Sequence, residues 1–260
     1  MRALRLCGLA ALLTLATAAF AYPTLSGPSG QAVIPTGFAA GSGLHLAADW
    51  QDTDAGHIIP IRALLGLGTN AELGVAYAPF EDDAVVNRLL GANAKFSFGQ
   101  FLGGRGAIGA SFNRFELDED LDLDDNDEVD FTQVYFAWTR CFNTGAGASG
   151  RPNLALTLGV NWTSTDPDTS LVPFVPDDEA FRFNAGVALA ISPSIELMAE
   201  WQSEADEIGD EEAITAFTGR FYFSDNFAAQ IGFTNAIGPI GTGDHNFFAG
   251  LSYGFGGSSE

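Results

Sequence analysis

The stretch 244–255, DHNFFAGLSYGF, decides the fold. Its alternate residues form an apolar face that is aromatic at both ends: Phe247, Ala249, Leu251, Tyr253 and Phe255. The other face is small or polar apart from Phe248. A repeat of two residues is that of a β-strand, because successive side chains of a strand point to opposite sides. The stretch therefore predicts a strand with one face suited to an apolar environment.

This strand resembles the closing strand and assembly signal of bacterial outer-membrane β-barrels, which carry an aromatic residue near the C-terminus. Here the aromatic residue is Phe255, followed by the five residues GGSSE. The resemblance implies an all-β fold, a transmembrane antiparallel β-barrel, and a bacterial outer-membrane location. It also implies the barrel-assembly machinery, membrane lipid and lipopolysaccharide as partners.

The chain divides into four parts. Residues 1–21 predict a cleaved signal peptide, since two arginines precede an apolar run and a small-x-small cleavage site. Residues 22–42 predict an extended Gly/Pro-rich lead-in, 43–255 the barrel, and 256–260 a tail. The lead-in, with Gly27-x-x-Gly30 and then Ile34-Pro35-Thr36, is similar to the opening of YjbH-like, exopolysaccharide-associated barrels. A flexible periplasmic leader is the alternative.

Composition excludes several classes of protein. The chain has 33 acidic and 11 basic residues, a formal net charge of −22, which argues against a nucleic-acid partner. Without the signal peptide, Cys141 is the lone cysteine, so an internal disulfide is excluded. Beyond the signal peptide, no apolar run reaches the length of a transmembrane helix.

Twelve alternating segments follow the lead-in. They span approximately 43–50, 57–66, 70–78, 86–98, 105–115, 129–141, 152–163, 180–191, 195–203, 212–223, 226–235 and 244–255. An even number of strands is what a closed antiparallel barrel with both termini in the periplasm requires. The sequence therefore predicts twelve strands.

The connections between these segments are of two kinds, and the kinds alternate. Short or nearly uncharged turns, such as 67–69, 192–194 and 224–226, predict the periplasmic end. Six acidic or longer connections predict outer loops: 51–56, 79–85, 116–128, 164–179, 204–212 and 236–243. Outer-membrane barrels show the same asymmetry of short periplasmic turns and longer outer loops.

Aromatic residues fall near both ends of the predicted lipid-facing side. Rings settle at membrane interfaces because one edge is apolar and the other tolerates water. The predicted girdle residues are Trp50, Tyr77, Trp138, Trp162, Trp201, Phe223, Phe247, Tyr253 and Phe255.

The opposite side of the strands carries charges of both signs. The predicted lumen-lining residues of this kind are His45, Asp49, Arg62, Glu72, Lys95, Arg182, Glu196, Glu200 and Arg220. A dry core would make these charges costly, whereas a water-filled lumen would hydrate them. Two readings stay open: a constriction that selects permeants by charge, and ion pairs that brace the strands and fill the lumen.

The longest acidic run lies in the loop 116–128. Its candidate residues are Asp118, Glu119, Asp120, Asp122, Asp124, Asp125, Asp127 and Glu128. Carboxylates at such spacing can hold Ca²⁺ or Mg²⁺ loosely, or bridge to lipopolysaccharide phosphates, but the EF-hand register does not fit. The alternative is a solvated acidic loop. We predict no cofactor and no firm metal site.

Two patterns of outer-membrane enzymes can be compared with this sequence. Asp244-His245, with Asp52 and Asp54 on another outer loop, is similar to the Asp/His pairs of omptin proteases. The His-x-Ser pattern of barrel phospholipases fails, since Ala47, Ile59 and Phe247 occupy the serine positions. We therefore expect a non-enzymatic barrel. The favoured function is a passive, cation-preferring channel for small hydrophilic solutes. The alternative is a closed structural or surface-interaction barrel, one variant of which is an accessory barrel for polysaccharide export.

Overall fold

The computed structural model describes residues 23–24, 30–31, 33–53, 56–81, 86–117, 128–142, 153–167, 178–205, 212–237 and 240–255. These residues form one antiparallel sheet that closes on itself. Its strands are β1 Gly43–Thr53, β2 Gly56–Ile58, β3 Ile61–Leu67, β4 Ala71–Glu81, β5 Val86–Phe101, β6 Gly104–Leu117, β7 Glu128–Phe142, β8 Leu154–Pro167, β9 Glu179–Ser192, β10 Ile195–Gln202, β11 Ile214–Tyr222, β12 Phe227–Ile237 and β13 Ile240–Phe255.

The barrel closes between its first and last strands. β1 pairs with β13 over eight residue pairs, from Leu44 opposite Phe255 to Gln51 opposite Phe248. Residues 244–255 of β13 thus lie between β1 and β12, and the barrel has no open sheet edge there.

Thirteen strands occupy twelve positions around the barrel. β2 and β3 both pair with β1 on one side and β4 on the other, so they are two parts of one strand. The break falls at Ile59 and Pro60, and proline has no N–H to give to a sheet. The predicted all-β, twelve-stranded antiparallel barrel is confirmed.

Short connections lie together at one end of the barrel. We call this the short-turn end: it carries residues 68–70, 102–103, 193–194 and 223–226, and the opposite end is the long-loop end. The strands reach further into the predicted outer loops than the sequence indicated. β4 runs to Glu81, β8 runs to Pro167, and β13 begins at Ile240, so residues 236–243 are largely paired strand and not a loop. The acidic residues 118–127 lie outside the described residues.

The outer surface of the barrel is apolar. Large exposed side chains alternate along its strands and include Leu73, Val75, Phe183 and Leu251, each at least half exposed. In water such a surface would drive association, whereas lipid solvates it. Among the described residues, no helix is long and apolar enough to cross a membrane. The exterior is that of a barrel that crosses the membrane with its strands.

The aromatic residues predicted for the girdles lie on this exterior or at its edges. Trp50, Tyr77, Trp201, Phe223, Tyr253 and Phe255 are exposed, while Trp138, Trp162 and Phe247 are half-buried. The indole N–H of Trp162 donates to a Glu179 carboxylate oxygen at 3.1 Å, and that of Trp138 to the Phe101 carbonyl oxygen at 2.7 Å. An indole ring that is apolar on one side and hydrogen-bonded through its N–H on the other is suited to a membrane interface.

Partly exposed ion pairs mark the long-loop end of β5, β6 and β7. Arg114 donates from Nε and Nη2 to the two oxygens of Asp130, both at 2.8 Å, and its Nη1 lies 2.5 Å from Glu128. Arg88 pairs with Glu116 beside them. Glu128, predicted to end the acidic loop, is therefore the first residue of β7 and is paired. Since charges on a lipid face are costly, these strand ends extend beyond the apolar band.

Candidate functional site

The lumen is lined by charged side chains that alternate with the lipid-facing residues. Of those predicted to line it, His45 is half-buried and every other is buried, at most 5% exposed: Asp49, Arg62, Glu72, Lys95, Arg182, Glu196, Glu200 and Arg220. In an open aqueous pore, water would reach such side chains. At the level of these residues, protein atoms therefore fill the described part of the lumen.

Six of these charged residues form three ion pairs within the lumen. Lys95 Nζ lies 3.1 Å from Glu72 Oε1, Arg62 forms an ion pair with Asp49, and Arg220 Nη1 lies 3.8 Å from Glu196 Oε2. Pairing of opposite charges removes much of the cost of burying each one.

Neutral polar side chains join two of these pairs into one network. Gln230 donates from Nε2 to Asp49 at 2.9 Å and accepts from Arg220 at 3.3 Å. The Tyr222 hydroxyl donates to Glu196 at 2.8 Å. The network runs from β3 through β1, β12 and β11 to β10, so it braces that side of the wall.

The described part of the N-terminal lead-in lies inside the barrel. We call its described residues, 30–31 and 33–42, the luminal segment. Val33, Ile34, Phe38, Ala39 and Ala40 in this segment are all buried. It ends at Gly43, where β1 begins at the short-turn end. Residues 33–40 of the lead-in are thus packed within the lumen.

Two luminal carboxylates bind the backbone of the luminal segment. The N–H groups of Val33 and Ile34 both donate to Glu200 Oε2 at 2.8 Å. The N–H of Ala40 donates to Glu72 Oε2 at 2.7 Å. Hydrogen bonds to an ionised acceptor are about twice as strong as neutral ones, so these carboxylates are the principal polar contacts of the segment.

Three further groups of the wall contact the middle of the segment. The Gly37 N–H donates to Thr139 Oγ1 at 2.9 Å, and Ser97 Oγ donates to the Gly37 carbonyl oxygen at 2.7 Å. The Arg105 guanidinium lies 5.2 Å from the centre of the Phe38 ring, within cation–π range. A Cβ at residue 37 would overlap the Arg105 carbonyl oxygen, so glycine is required by this close approach.

Arginines bind carbonyl oxygens of the lead-in elsewhere. Arg220 Nη2 donates to the Gln31 carbonyl at 3.3 Å, and Arg62 Nη1 donates to the Thr24 carbonyl at 3.0 Å. The segment therefore contacts β4, β5, β6 and β7 near Gly37 and β10 and β11 near Ile34. It can reach both sets only by crossing the lumen.

Apolar side chains fill the lumen toward the long-loop end. Val33 and Ile34 pack with Ile214, Ala216, Ala236 and Phe248, where Phe248 is the large exception on the polar face of the last strand. A second cluster on β2 and β4–β7 consists of Ile58, Ala78, Leu89, Phe115, Val129 and Phe131. The predictions from the sequence do not include this cluster. The alternation of side chains along a strand could have predicted it, because residues two apart point to the same face. Phe131 lies two residues from the inward Gln133, and Phe115 lies two residues from the inward Asn113.

His245, which belongs to the enzyme-like pattern, and His57 have separate partners. His57 Nδ1 lies 3.0 Å from Asp52 Oδ1, and His245 Nε2 lies 2.8 Å from Thr215 Oγ1. Within the described ranges no group of three or more His, Cys, Asp or Glu side chains is arranged to hold a metal ion. Apart from Glu128, the candidate carboxylates of the acidic loop lie outside those ranges.

Comparisons place this architecture among solved outer-membrane barrels. A KdgM porin, solved in complex with disordered oligogalacturonate, matches with a TM-score of 0.55 and 8% identity over 82% of this chain and 99% of its own. The NanC porin matches with a TM-score of 0.53 and 8% identity over 81% and 98%. Omp33 of Acinetobacter baumannii matches with a TM-score of 0.50 and 11% identity over 82% and 98%. No protein-family model and no curated protein matches the sequence.

At these identities the likeness is one of fold. It confirms the predicted resemblance to bacterial outer-membrane β-barrels, and with the apolar exterior it supports an outer-membrane location. The similarity of the lead-in to YjbH-like barrels stays a prediction.

Proposed function

We propose that this chain is an outer-membrane channel for small hydrophilic solutes, with a preference for cations. The observation that carries the proposal is the charged and hydrogen-bonding inward face inside an apolar exterior. A barrel that served only as a scaffold could fill its interior with apolar side chains, avoiding the desolvation of eight charged groups. Polar linings are the feature by which channels pass hydrated solutes.

The cation preference rests on the distribution of acidic residues. Most of the 33 acidic residues of the sequence fall in the connections of the long-loop end, including 118–127. Their summed field would concentrate cations at that mouth. The same loop would bridge divalent ions to lipopolysaccharide phosphates loosely, without a cofactor role.

The proposal is for a non-enzymatic protein. It is supported by the separate partners of His57 and His245 and by the absence from the sequence of the His-x-Ser pattern. A polar lumen also suits solutes of the kind that the KdgM porin was solved with, although the two chains share only 8% identity.

A closed structural barrel is the second candidate. It is favoured by the burial of the luminal charges and by the luminal segment that crosses between them. The two candidates differ in whether the segment can leave the lumen. Ion conductance by the folded protein distinguishes them.

Reversal potentials under a salt gradient test the preference for cations. When the barrel conducts in a planar bilayer, we expect it to be more permeable to K⁺ than to Cl⁻. The preference should weaken at higher salt, since the screening length falls from about 10 Å at 0.1 M to about 3 Å at 1 M. Changing Asp118, Asp120, Asp122 and Asp124 together to Asn should lower the K⁺/Cl⁻ permeability ratio about twofold without changing pore size.

The control for that variant is Asp225→Asn, which removes an exposed carboxylate at the short-turn end. It should leave the permeability ratio near the wild-type value. Anion selectivity of the wild-type barrel would contradict the role of the acidic loops.

A further inference from the structure

The wall of the barrel is complete without the luminal segment. β1 pairs directly with β13, and the described residues of the segment form a bridge only between Gly30 and Pro35, within the lead-in itself. None of these residues adds a strand to the barrel ladder. Withdrawal of the segment would therefore break side-chain and carbonyl contacts but no pairing of the sheet.

The contacts that hold the segment in the lumen are of a kind that can break and form again. They include hydrogen bonds that the backbone N–H groups of Val33, Ile34, Gly37 and Ala40 donate to wall side chains. Water can replace each of these bonds on both partners. Val33 and Ile34 add apolar contacts to the cluster around Phe248, and Phe38, Ala39 and Ala40 are buried as well.

The luminal segment closes the lumen at the level of the charged residues that line it. Glu72 on β4 and Glu200 on β10 bind it from well-separated strands, and the charged residues around it are almost inaccessible to water. The segment is continuous with β1 at the short-turn end. It can leave only toward that end while β1 stays in the wall.

We infer that residues 33–40 are a gate that closes the lumen, held by the Glu200 and Glu72 carboxylates. This inference rests on the proposed channel function and adds the element that controls it. In the closed state Glu200 accepts the N–H groups of Val33 and Ile34, and Glu72 accepts that of Ala40. In the open state the segment lies toward the short-turn end, and the freed carboxylates line a polar, hydrated pathway.

Planar-bilayer conductance of three proteins tests the gate. We expect the folded wild-type barrel to be closed most of the time. Deletion of residues 33–40 should raise the mean conductance about tenfold or more. Glu200→Gln keeps the size of the side chain and removes its charge, so it should weaken both N–H bonds and raise the open fraction by a smaller factor.

The matched control is Glu204→Gln, which makes the same change at an exposed residue just beyond the same strand. It should leave the open fraction unchanged. Equal conductance of the wild-type and deleted barrels would overturn the gate and leave the channel intact. No conductance from either barrel, both shown to be folded by heat-modifiable gel mobility, would overturn the gate and the channel together.

Thiol accessibility tests the gate without requiring conductance. In a Cys141→Ser background, Ala39→Cys places a thiol at a buried position of the segment. We expect a charged methanethiosulfonate to modify it slowly in the otherwise wild-type barrel and about tenfold faster when Glu200→Gln is added. Modification at the rate of a free thiol in the wild-type barrel would overturn the closed state.

Discussion

Replacing Arg62 by Ala should lower the free energy of unfolding by about 3–5 kcal/mol, because it leaves Asp49 as an unpaired charge in a dry part of the lumen. Arg62 is 1% exposed and Asp49 is 2% exposed. Arg62 also donates to the Thr24 carbonyl oxygen at 3.0 Å. Urea unfolding in lipid vesicles, followed by tryptophan fluorescence, measures the loss.

The matched control is Arg88→Ala, which breaks the pair with Glu116 on the exposed long-loop end. Exposed ion pairs contribute little to stability, so this variant should unfold close to the wild type. Equal effects of the two variants would mean that water hydrates Arg62, and that the lumen is open at this level.

Replacing Leu251 by Arg should lower the free energy of unfolding by about 2–4 kcal/mol, the cost of a cation on the lipid face near the bilayer centre. Leu251 is 54% exposed and lies on β13 midway between Phe247 and Phe255, one aromatic residue toward each interface. Its lateral neighbours in the sheet are Ala48 and Ala229, which give the guanidinium no partner.

Leu251→Phe is the control, because it changes the shape of the side chain while keeping it apolar. It should assemble and unfold like the wild type in the same urea series. If Leu251→Arg were as stable as Leu251→Phe, this face of β13 would not contact lipid.

The wall of the barrel could be predicted from the sequence because the alternation of side chains along each strand is a local pattern. Leu251 and Phe255 are an even number of positions from Phe247, and this spacing alone places all three on the same side of a strand. The inward positions of Arg62, Glu72 and Glu200 follow from the same alternation. The break at Pro60 escaped the prediction, since the alternation continues on both sides of it.

The contents of the lumen could not be predicted in this way. The partners of Glu200 are backbone N–H groups of Val33 and Ile34, more than 160 residues away in the chain. Every residue except proline carries such a donor, so no sequence pattern marks those that a distant carboxylate binds. Glycine and proline in the lead-in indicated irregular backbone but not where that backbone lies.

Amide hydrogen exchange of the folded wild-type barrel tests the central claim, that residues 33–40 occupy the lumen, most directly. The N–H groups of Val33, Ile34, Gly37 and Ala40 have wall side chains as acceptors, so peptides covering them should exchange about 100-fold or more slowly than the unfolded chain. Mass spectrometry after peptic digestion of the detergent-solubilised protein reports this for each peptide. Exchange of residues 33–40 at the rate of a free peptide, with β13 protected in the same sample, would contradict the claim.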